Sequence, residues 1–246
     1  MKAKMKKIAC AIAAVLLMLM LLLGIIVAVY ISKYYHADDK ARDIVTQSHS
    51  EYQIQQLDDA IAFVPDHPKA GLIFYPGGKV EYTAYAPLME ACAKQDILCV
   101  LVHMTGNLAV LESDAADGIP QAFPAVDHWY IGGHSLGGAM AATYVSEHTD
   151  AFDGLVLLAS YATKDLSDTN LKVLSVYGTN DGVLNRESYE ADKCNLPDDF
   201  TEIVIPDANH AGFGSYGAQE GDGQGMDDPW KQMDLTAAAI AALVED

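Results

Sequence analysis

Positive charge is scarce in this chain and is concentrated at one end. The 246 residues include 15 Lys and Arg against 34 Asp and Glu, a formal net charge of −19 at pH 7. Lys2, Lys4, Lys6 and Lys7 lie at the N-terminus, so everything that follows is strongly acidic. An acidic surface repels nucleic acid and anionic lipid head groups, so we expect no nucleic-acid partner. It favours solubility and, as an alternative reading, neutral or cationic substrates.

Cysteine is also rare, with 4 residues and no C-x-x-C pair, which argues against a zinc site. Cys10 lies in an apolar run, and Cys99 lies in a second apolar stretch that is typical of a buried strand. Cys92 and Cys194 remain candidates for a disulfide outside the cell, which the sequence alone leaves open.

No internal repeat is visible. With 51% hydrophobic residues, the chain is long enough for one full α/β domain.

An uncharged apolar run covers residues 8–31. As a helix rising about 1.5 Å per residue, it spans roughly 36 Å, enough for a hydrocarbon core of about 30 Å. The lysines before it predict a cytoplasmic N-terminus and an extracytoplasmic remainder. We therefore predict a single-pass anchor in the cell membrane. A cleaved signal peptide is the alternative, although its apolar region is usually only about 7–15 residues long.

Residues 32–50 are polar and are predicted to form a stalk, followed by a catalytic domain over 51–246. Two apolar stretches, 52–57 and 60–64, flank Asp58-Asp59 and predict an antiparallel hairpin. Continuous apolar runs, typical of strands buried on both faces, follow at 71–75, 97–103, 129–131, 154–159, 173–177 and 201–205. Helical patterns alternate with them at 83–94, 107–116, 136–148, 186–194 and 230–244. This order predicts an α/β fold whose mostly parallel sheet has helices on both faces.

The pattern G-x-S-x-G occurs at residues 133–137, between an apolar strand and a helical stretch. A serine nucleophile needs such a strained strand-to-helix turn, because its hydroxyl then projects above the sheet. Gly133 and Gly137 leave room where the chain doubles back. Ser135 is therefore the predicted nucleophile, and the Leu136 N–H at the helix start is a predicted oxyanion donor. His134 is interpreted as a packing or rim residue.

The acid and the base follow such a serine in that order along the chain. Asp181 comes after the strand at 173–177, and His210 comes after the last strand at 201–205. Asp207 is a competing acid, but it lies only three residues before His210 on the same loop. We therefore predict Asp181 as the acid and His210 as the base.

Two glycine-rich loops complete the predicted site. Pro76-Gly77-Gly78-Lys79 follows the strand at 71–75, and its glycines let the backbone approach a substrate carbonyl closely. We predict Gly78 N–H as the second oxyanion donor, with the Lys79 N–H as the next choice. The acidic loop at 221–228 invites a test for calcium, but its spacing does not match an EF-hand. A flexible polar loop is the preferred interpretation.

These motifs together resemble the α/β-hydrolase superfamily, and more narrowly its small "alpha/beta hydrolase fold-5" branch, often membrane-anchored in Gram-positive bacteria. The resemblance covers residues 52–245. It implies an α/β-hydrolase fold, and esterase-like acyl hydrolysis with Ser135, Asp181 and His210 as the triad. The Pro-Gly-Gly loop departs from the His-Gly-Gly-Gly of many lipases and esterases.

A serine mechanism of this kind requires no metal or organic cofactor. Only a short segment, 160–171, separates two strands where larger relatives insert a lid, so we predict a minimal lid and an open site. The predicted substrate is a small-molecule ester or similar acyl compound. Two alternatives remain open: a thioesterase or peptidase with the same triad, and a non-catalytic binding protein on the same fold.

Overall fold

The computed structural model describes residues 2–245. Met1 and Asp246, the outermost residues of the predicted anchor and catalytic domain, lie outside the described residues. The chain divides into two compact units, Met1–Tyr34 and Tyr35–Asp246.

The first unit contains a single long helix, α1 (Lys2–Ile31). Its part Lys4–Ile31 reaches a mean hydropathy of 3.2 over 18 residues, and is long and apolar enough to cross a membrane. A signal sequence would pass the same test.

The second unit is built on one mixed sheet. Its strands are β1 (Tyr52–Gln56), β2 (Ala60–Pro65), β3 (Ala70–Tyr75), β4 (Ile97–Val102), β5 (Trp129–His134), β6 (Gly154–Leu158), β7 (Lys172–Gly178) and β8 (Thr201–Ile205). Their order across the sheet is β1-β2-β4-β3-β5-β6-β7-β8. The first two strands form an antiparallel hairpin, β2 is antiparallel to β4, and all the other pairs are parallel. The predicted hairpin and mostly parallel sheet are thus confirmed.

Helices cover both faces of this sheet. They are α2 (Asp39–Thr46), α3 (Ala86–Ala93), α4 (Ile119–Ala122), α5 (Leu136–Ser146), α6 (Arg186–Asp192) and α7 (Pro229–Glu245). Four of the five helices predicted for this unit match α3, α5, α6 and α7. The segment 159–171 between β6 and β7 contains neither helix nor strand, as the prediction of a minimal lid requires.

The helix predicted at 107–116 is wrong. Two short 3-10 turns, Thr105–Asn107 and Ala109–Leu111, occupy this region instead. Asn107 has a φ of 55°, and Leu108 is extended, so an α-helix cannot run through them. The carboxylate of Glu112 accepts hydrogen bonds from the N–H and the hydroxyl of Thr105, which closes the loop.

The core has two layers because successive residues of each strand point to opposite faces. Leu72 and Phe74 of β3 pack with α2, α3 and α7, whereas Ile73 and Tyr75 pack with α5 and the segment 104–126. The five pairs of parallel neighbours bring the carboxyl ends of β3 to β8 to one edge, where ligands bind in sheets of this type.

The predicted stalk at 32–50 is corrected by the structure, because the second unit begins at Tyr35. Helix α2 buries Ala41 and Ile44, and Ala37 is buried just before it. Ala41 and Ile44 follow the spacing of one helical face, so a short amphipathic helix packs where the overall polarity of the segment predicted exposure.

Cys92, Cys99 and Cys194 are all free. Cys92 is buried in α3 and Cys194 is exposed, so the disulfide that the sequence left open is not formed. The side chain of Cys10 lies outside the described residues.

Candidate active site

The turn between β5 and α5 carries Ser135 in a strained conformation, with φ 52° and ψ −122°. Such a conformation costs roughly 1–3 kcal/mol and persists only where the surroundings enforce it. At Gly137, a Cβ would overlap the carbonyl oxygens of Tyr75 and Pro76. The G-x-S-x-G pattern therefore meets a steric need, because β3 passes too close for a side chain at that position.

Three hydrogen bonds fix the backbone of Ser135. Its N–H donates to the Leu158 carbonyl at 2.9 Å, which extends the ladder between β5 and β6. Its carbonyl accepts from the Ala139 N–H at 3.2 Å and from the Ser160 hydroxyl at 2.7 Å. The strained turn is thus held from the neighbouring strand and from the first turn of α5.

Asp181 and His210 come from the loops after β7 and β8, and their side chains pair. Oδ2 of Asp181 lies 3.0 Å from Nδ1 of His210, and both side chains are buried. The other oxygen, Oδ1, accepts from the N–H groups of Val183 and Leu184 at 2.9 and 2.8 Å. Burial alone raises the pKa of Asp181, but these bonds and His210 together hold the pKa below its usual value. The carboxyl is therefore ionised at neutral pH.

Asp207, the competing acid, does not approach His210 in this way. It has a φ of 59°, its N–H donates to the Thr179 hydroxyl, and it is exposed. Of the two candidate acids, only Asp181 is hydrogen-bonded to the imidazole within residues 2–245.

Ser135 and His210 line the same pocket, which has a volume of about 400 Å³. The Nε2 atom of His210 is buried and has no hydrogen-bond partner among the described residues, Ser135 included. None of the 12 lining residues is Asp, Glu, Lys or Arg: Ser135, Leu136, Ala139, Met140, Ala159, Ser160, Tyr161, Thr163, Val183, Leu184, Asn185 and His210. A larger cavity of about 560 Å³ has three aspartates in its lining but neither of these two residues. The smaller pocket is therefore the candidate site.

The loop after β3 has one backbone N–H group left for a ligand. Gly77 N–H donates to the Tyr85 hydroxyl at 3.0 Å, and Lys79 N–H donates to the Asn107 carbonyl at 2.7 Å. The N–H of Gly78 donates to no atom of the described residues. Gly78 lies against Leu136, since a Cβ on it would be 2.9 Å from Leu136 Cδ2. The structure thus places Gly78 beside the side chain of Leu136, and the oxyanion role of their N–H groups stays a prediction.

His134 has a more specific environment than that of a packing or rim residue. It is 1% exposed, and its Nδ1 is hydrogen-bonded to the Tyr85 hydroxyl at 2.8 Å. Its ring centroid lies 4.4 Å from that of His210. Burial, and then the proximity of His210, hold the pKa of His134 well below its usual value, so this ring is neutral at pH 7. The sequence offered no signal for Tyr85, which lies 49 residues before His134.

Metal-ligand side chains do not cluster in the described part of the chain: no group of three or more His, Cys, Asp or Glu residues is placed to hold an ion. In the loop at 221–228, the carboxylate of Asp222 accepts hydrogen bonds from backbone N–H groups instead.

The model of an alpha/beta hydrolase family matches residues 71–234, from β3 into α7. The chain belongs to the α/β hydrolase family. No curated protein sequence matches it.

Solved structures of α/β hydrolases are similar to the chain at low identity. Est1E from Butyrivibrio proteoclasticus has a TM-score of 0.56 and 14% identity, over 80% of this chain and 100% of that one. The esterase domain of a Rhodothermus marinus protein has 0.58 and 13%, over 79% and 100%. The dienelactone hydrolase of Anabaena variabilis has 0.58 and 12%, over 80% and 98%. At such identities the likeness establishes the fold.

Proposed function

We propose that this α/β hydrolase is a membrane-anchored serine esterase that forms an acyl-enzyme through Ser135, His210 and Asp181. The observation that carries the proposal is the hydrogen bonding of the two His210 ring nitrogens. One nitrogen is paired with a buried carboxylate. The other has no hydrogen-bond partner within residues 2–245, and Ser135 and His210 line the same pocket. A neutral imidazole that donates from Nδ1 keeps a lone pair on Nε2, which is what a general base needs.

Catalysis would proceed in two acyl-transfer steps. Nε2 of His210 takes the hydroxyl proton of Ser135 while Oγ attacks the carbonyl carbon of the ester. Asp181 orients the ring and stabilises the imidazolium. When the tetrahedral intermediate collapses, Nε2 returns the proton to the leaving alcohol. Water then attacks the acyl-enzyme with the same base, which frees the acid and Ser135.

The N–H groups of Leu136 and Gly78 would hold the negative oxygen of the tetrahedral intermediate. Support comes from the hydrogen bonds of their neighbours, since Gly77 and Lys79 already donate elsewhere. Each oxyanion donor in such a site contributes about 2.7–4 kcal/mol to transition-state stabilisation.

The lining of the pocket favours a small, uncharged acyl or alcohol group. Met140, Tyr161, Val183 and Leu184 are among its apolar lining residues, and 400 Å³ lies at the lower end of the range for small-molecule sites. Solved structures of similar fold include proteins described as an esterase domain and a dienelactone hydrolase, which favours ester substrates.

The N-terminal helix supports anchoring in the cell membrane. Residues 8–31 carry no charge, and lysines precede them, so the catalytic domain would face the extracytoplasmic side. Expression of the full chain followed by membrane fractionation and external protease tests both parts of this proposal. A soluble, shortened chain would indicate a cleaved signal peptide instead.

The catalytic proposal is tested by labelling the full chain with a fluorophosphonate probe. We expect Ser135→Ala to abolish labelling and Ser188→Ala, a change on α6, to leave it intact. Labelling that persists in Ser135→Ala refutes the assignment. A panel of p-nitrophenyl esters of graded chain length, thioesters and peptides then identifies the bond that is cleaved, with short acyl esters expected to react fastest.

A further inference from the structure

The acid and base loops share one further contact, the carboxylate of Asp222. Its Oδ1 accepts the N–H of Gly182 at 3.1 Å, beside the acid, and the N–H of His210 itself at 3.2 Å. Its Oδ2 accepts the N–H of Ala211 at 2.8 Å, and Oδ1 also accepts the N–H of Gly223 at 2.8 Å. One side chain thus binds the backbone on both sides of the Asp181–His210 pair.

The surrounding glycines bring the segment 221–225 into contact with both loops. A Cβ at Gly223 would overlap the Asn180 carbonyl, and one at Gly225 would lie 2.8 Å from Asn209 Oδ1. The Asn209 side chain also donates to the Gly223 carbonyl at 2.9 Å. The Gly-Asp-Gly-Gln-Gly segment, predicted from the sequence to be a flexible polar loop, is instead a strap across the loops that carry Asp181 and His210.

We propose that Asp222 is a positioning residue that sets the distance between Asp181 and His210. The proposal rests on the function proposed above. The two loops follow different strands, and the hydrogen bond between Oδ2 and Nδ1 at 3.0 Å depends on how they are aligned. Charge-assisted bonds to a carboxylate are about twice as strong as neutral ones, so a single Asp can fix both backbones. Asp222 does not contact the reacting atoms, because it binds only backbone N–H groups within the described residues.

The test compares Asp222→Ala and Asp222→Asn with Asp227→Asn in the full chain. Asp227 is exposed on the same loop, so its substitution removes the same charge without touching the strap. Alanine loses all four acceptor contacts, whereas asparagine keeps one oxygen and presents an NH₂ group to at least one N–H donor. We expect kcat for a p-nitrophenyl ester to fall by at least about tenfold in Asp222→Ala, because a misplacement near 1 Å can cost about 100-fold. Asp222→Asn should lie between Ala and wild type.

A purely structural role would lower the amount of folded protein but not the turnover of each active site. The kcat is therefore normalised to the sites that the fluorophosphonate probe titrates, and KM is expected to stay within about twofold because Asp222 does not line the pocket. A rise in KM with unchanged kcat, or an equal loss of kcat in Asp227→Asn, overturns the proposal.

Amide hydrogen exchange supplies a readout that needs no turnover. We expect faster exchange at Gly182, His210 and Ala211 in both Asp222 variants and unchanged exchange in Asp227→Asn. If exchange rises only within 221–225, the carboxylate does not hold the two loops and the proposal is wrong. A wild-type chain that neither labels nor hydrolyses esters refutes the proposed function, while the exchange data still decide whether Asp222 aligns the loops.

Discussion

Tyr85 and His134 form a buried hydrogen bond, with the hydroxyl oxygen 2.8 Å from Nδ1. Burial raises the pKa of Tyr85, so the phenol stays protonated and is able to donate a hydrogen bond to Nδ1 of His134. The same oxygen accepts the N–H of Gly77. The loop that carries one proposed oxyanion donor is thereby tied to the residue that precedes the proposed nucleophile.

Replacing Tyr85 with phenylalanine removes this tie and preserves the ring. The buried N–H of Gly77 loses its acceptor, which costs about 1–3 kcal/mol of stability. For a domain of this size, that lowers the Tm by roughly 2–12 °C. We also expect the kcat for esters to fall by roughly tenfold, because Gly78 is no longer fixed. Differential scanning calorimetry and ester kinetics measure the two effects.

Tyr82→Phe is the matched control for this change. The Tyr82 ring packs against His103, and its hydroxyl makes no hydrogen bond within residues 2–245. Equal losses of Tm and kcat in the two variants would show that the contact with Gly77 contributes neither to stability nor to ester turnover.

We predict that burial of neutral His134 lowers the stability of the fold in mild acid. Its pKa lies below the ordinary 6.5 in the folded state, so only the unfolded chain binds a proton there as the pH falls. Folding therefore loses on the order of 1 kcal/mol at this residue between pH 7.5 and 5.5, or roughly 2–4 °C in Tm. We expect His134→Gln to abolish this part of the pH dependence. Asp181 does not contribute in this window, since its lowered pKa preserves its stabilisation until the pH falls below about 4.

Thermal melting of both proteins at the two pH values measures the difference. Both proteins contain all the other histidines, so the comparison concerns His134 and its contact with His210. An identical fall in Tm for both proteins would contradict a depressed pKa at this position.

The sequence predicted those parts of the candidate site that depend on a local motif or on the order of the strands. Gly133 and Gly137 mark the turn at Ser135, and parallel strands bring the loops of Asp181 and His210 to one edge. Their catalytic roles stay predictions, but their proximity followed from a pattern of short apolar runs.

What the sequence did not predict depends on contacts between distant residues. Tyr85 lies on the helical segment after β3, and nothing in its neighbourhood indicates a partner 49 residues later. Asp222 resembled a residue of a flexible acidic loop, because its four donors come from three separate stretches of backbone. The segment 35–50 was predicted to be exposed because it is polar overall and only one short helix, α2, supplies its apolar face.

Two glycines of the site should differ sharply in their tolerance of alanine. A Cβ at Gly137 would overlap backbone oxygens, which cannot move without displacing β3, so we expect a loss of at least about 3 kcal/mol in Gly137→Ala. At Gly78 the nearest atom is the end of the flexible Leu136 side chain, so the loss should be about 1 kcal/mol or less. Probe labelling should vanish in the first variant and persist in the second. A lower Tm for Gly78→Ala than for Gly137→Ala would contradict this account.

The catalytic unit should need the residues that the sequence assigned to a stalk. Ser215, five residues after His210, donates its hydroxyl to Asp38 at 2.6 Å, and its carbonyl accepts the Asp38 N–H at 2.9 Å. A chain of residues 51–246 loses these bonds and the burial of Ala41 and Ile44, together about 3 kcal/mol or more. We expect its Tm to lie roughly 6–12 °C below that of residues 35–246, with weaker probe labelling because the base loop is no longer held. The double variant Asp38→Ala, Ile44→Ala in residues 35–246 should reproduce most of this loss. Equal Tm values for the two chain lengths would show that residues 35–50 do not stabilise the domain and form a stalk after all.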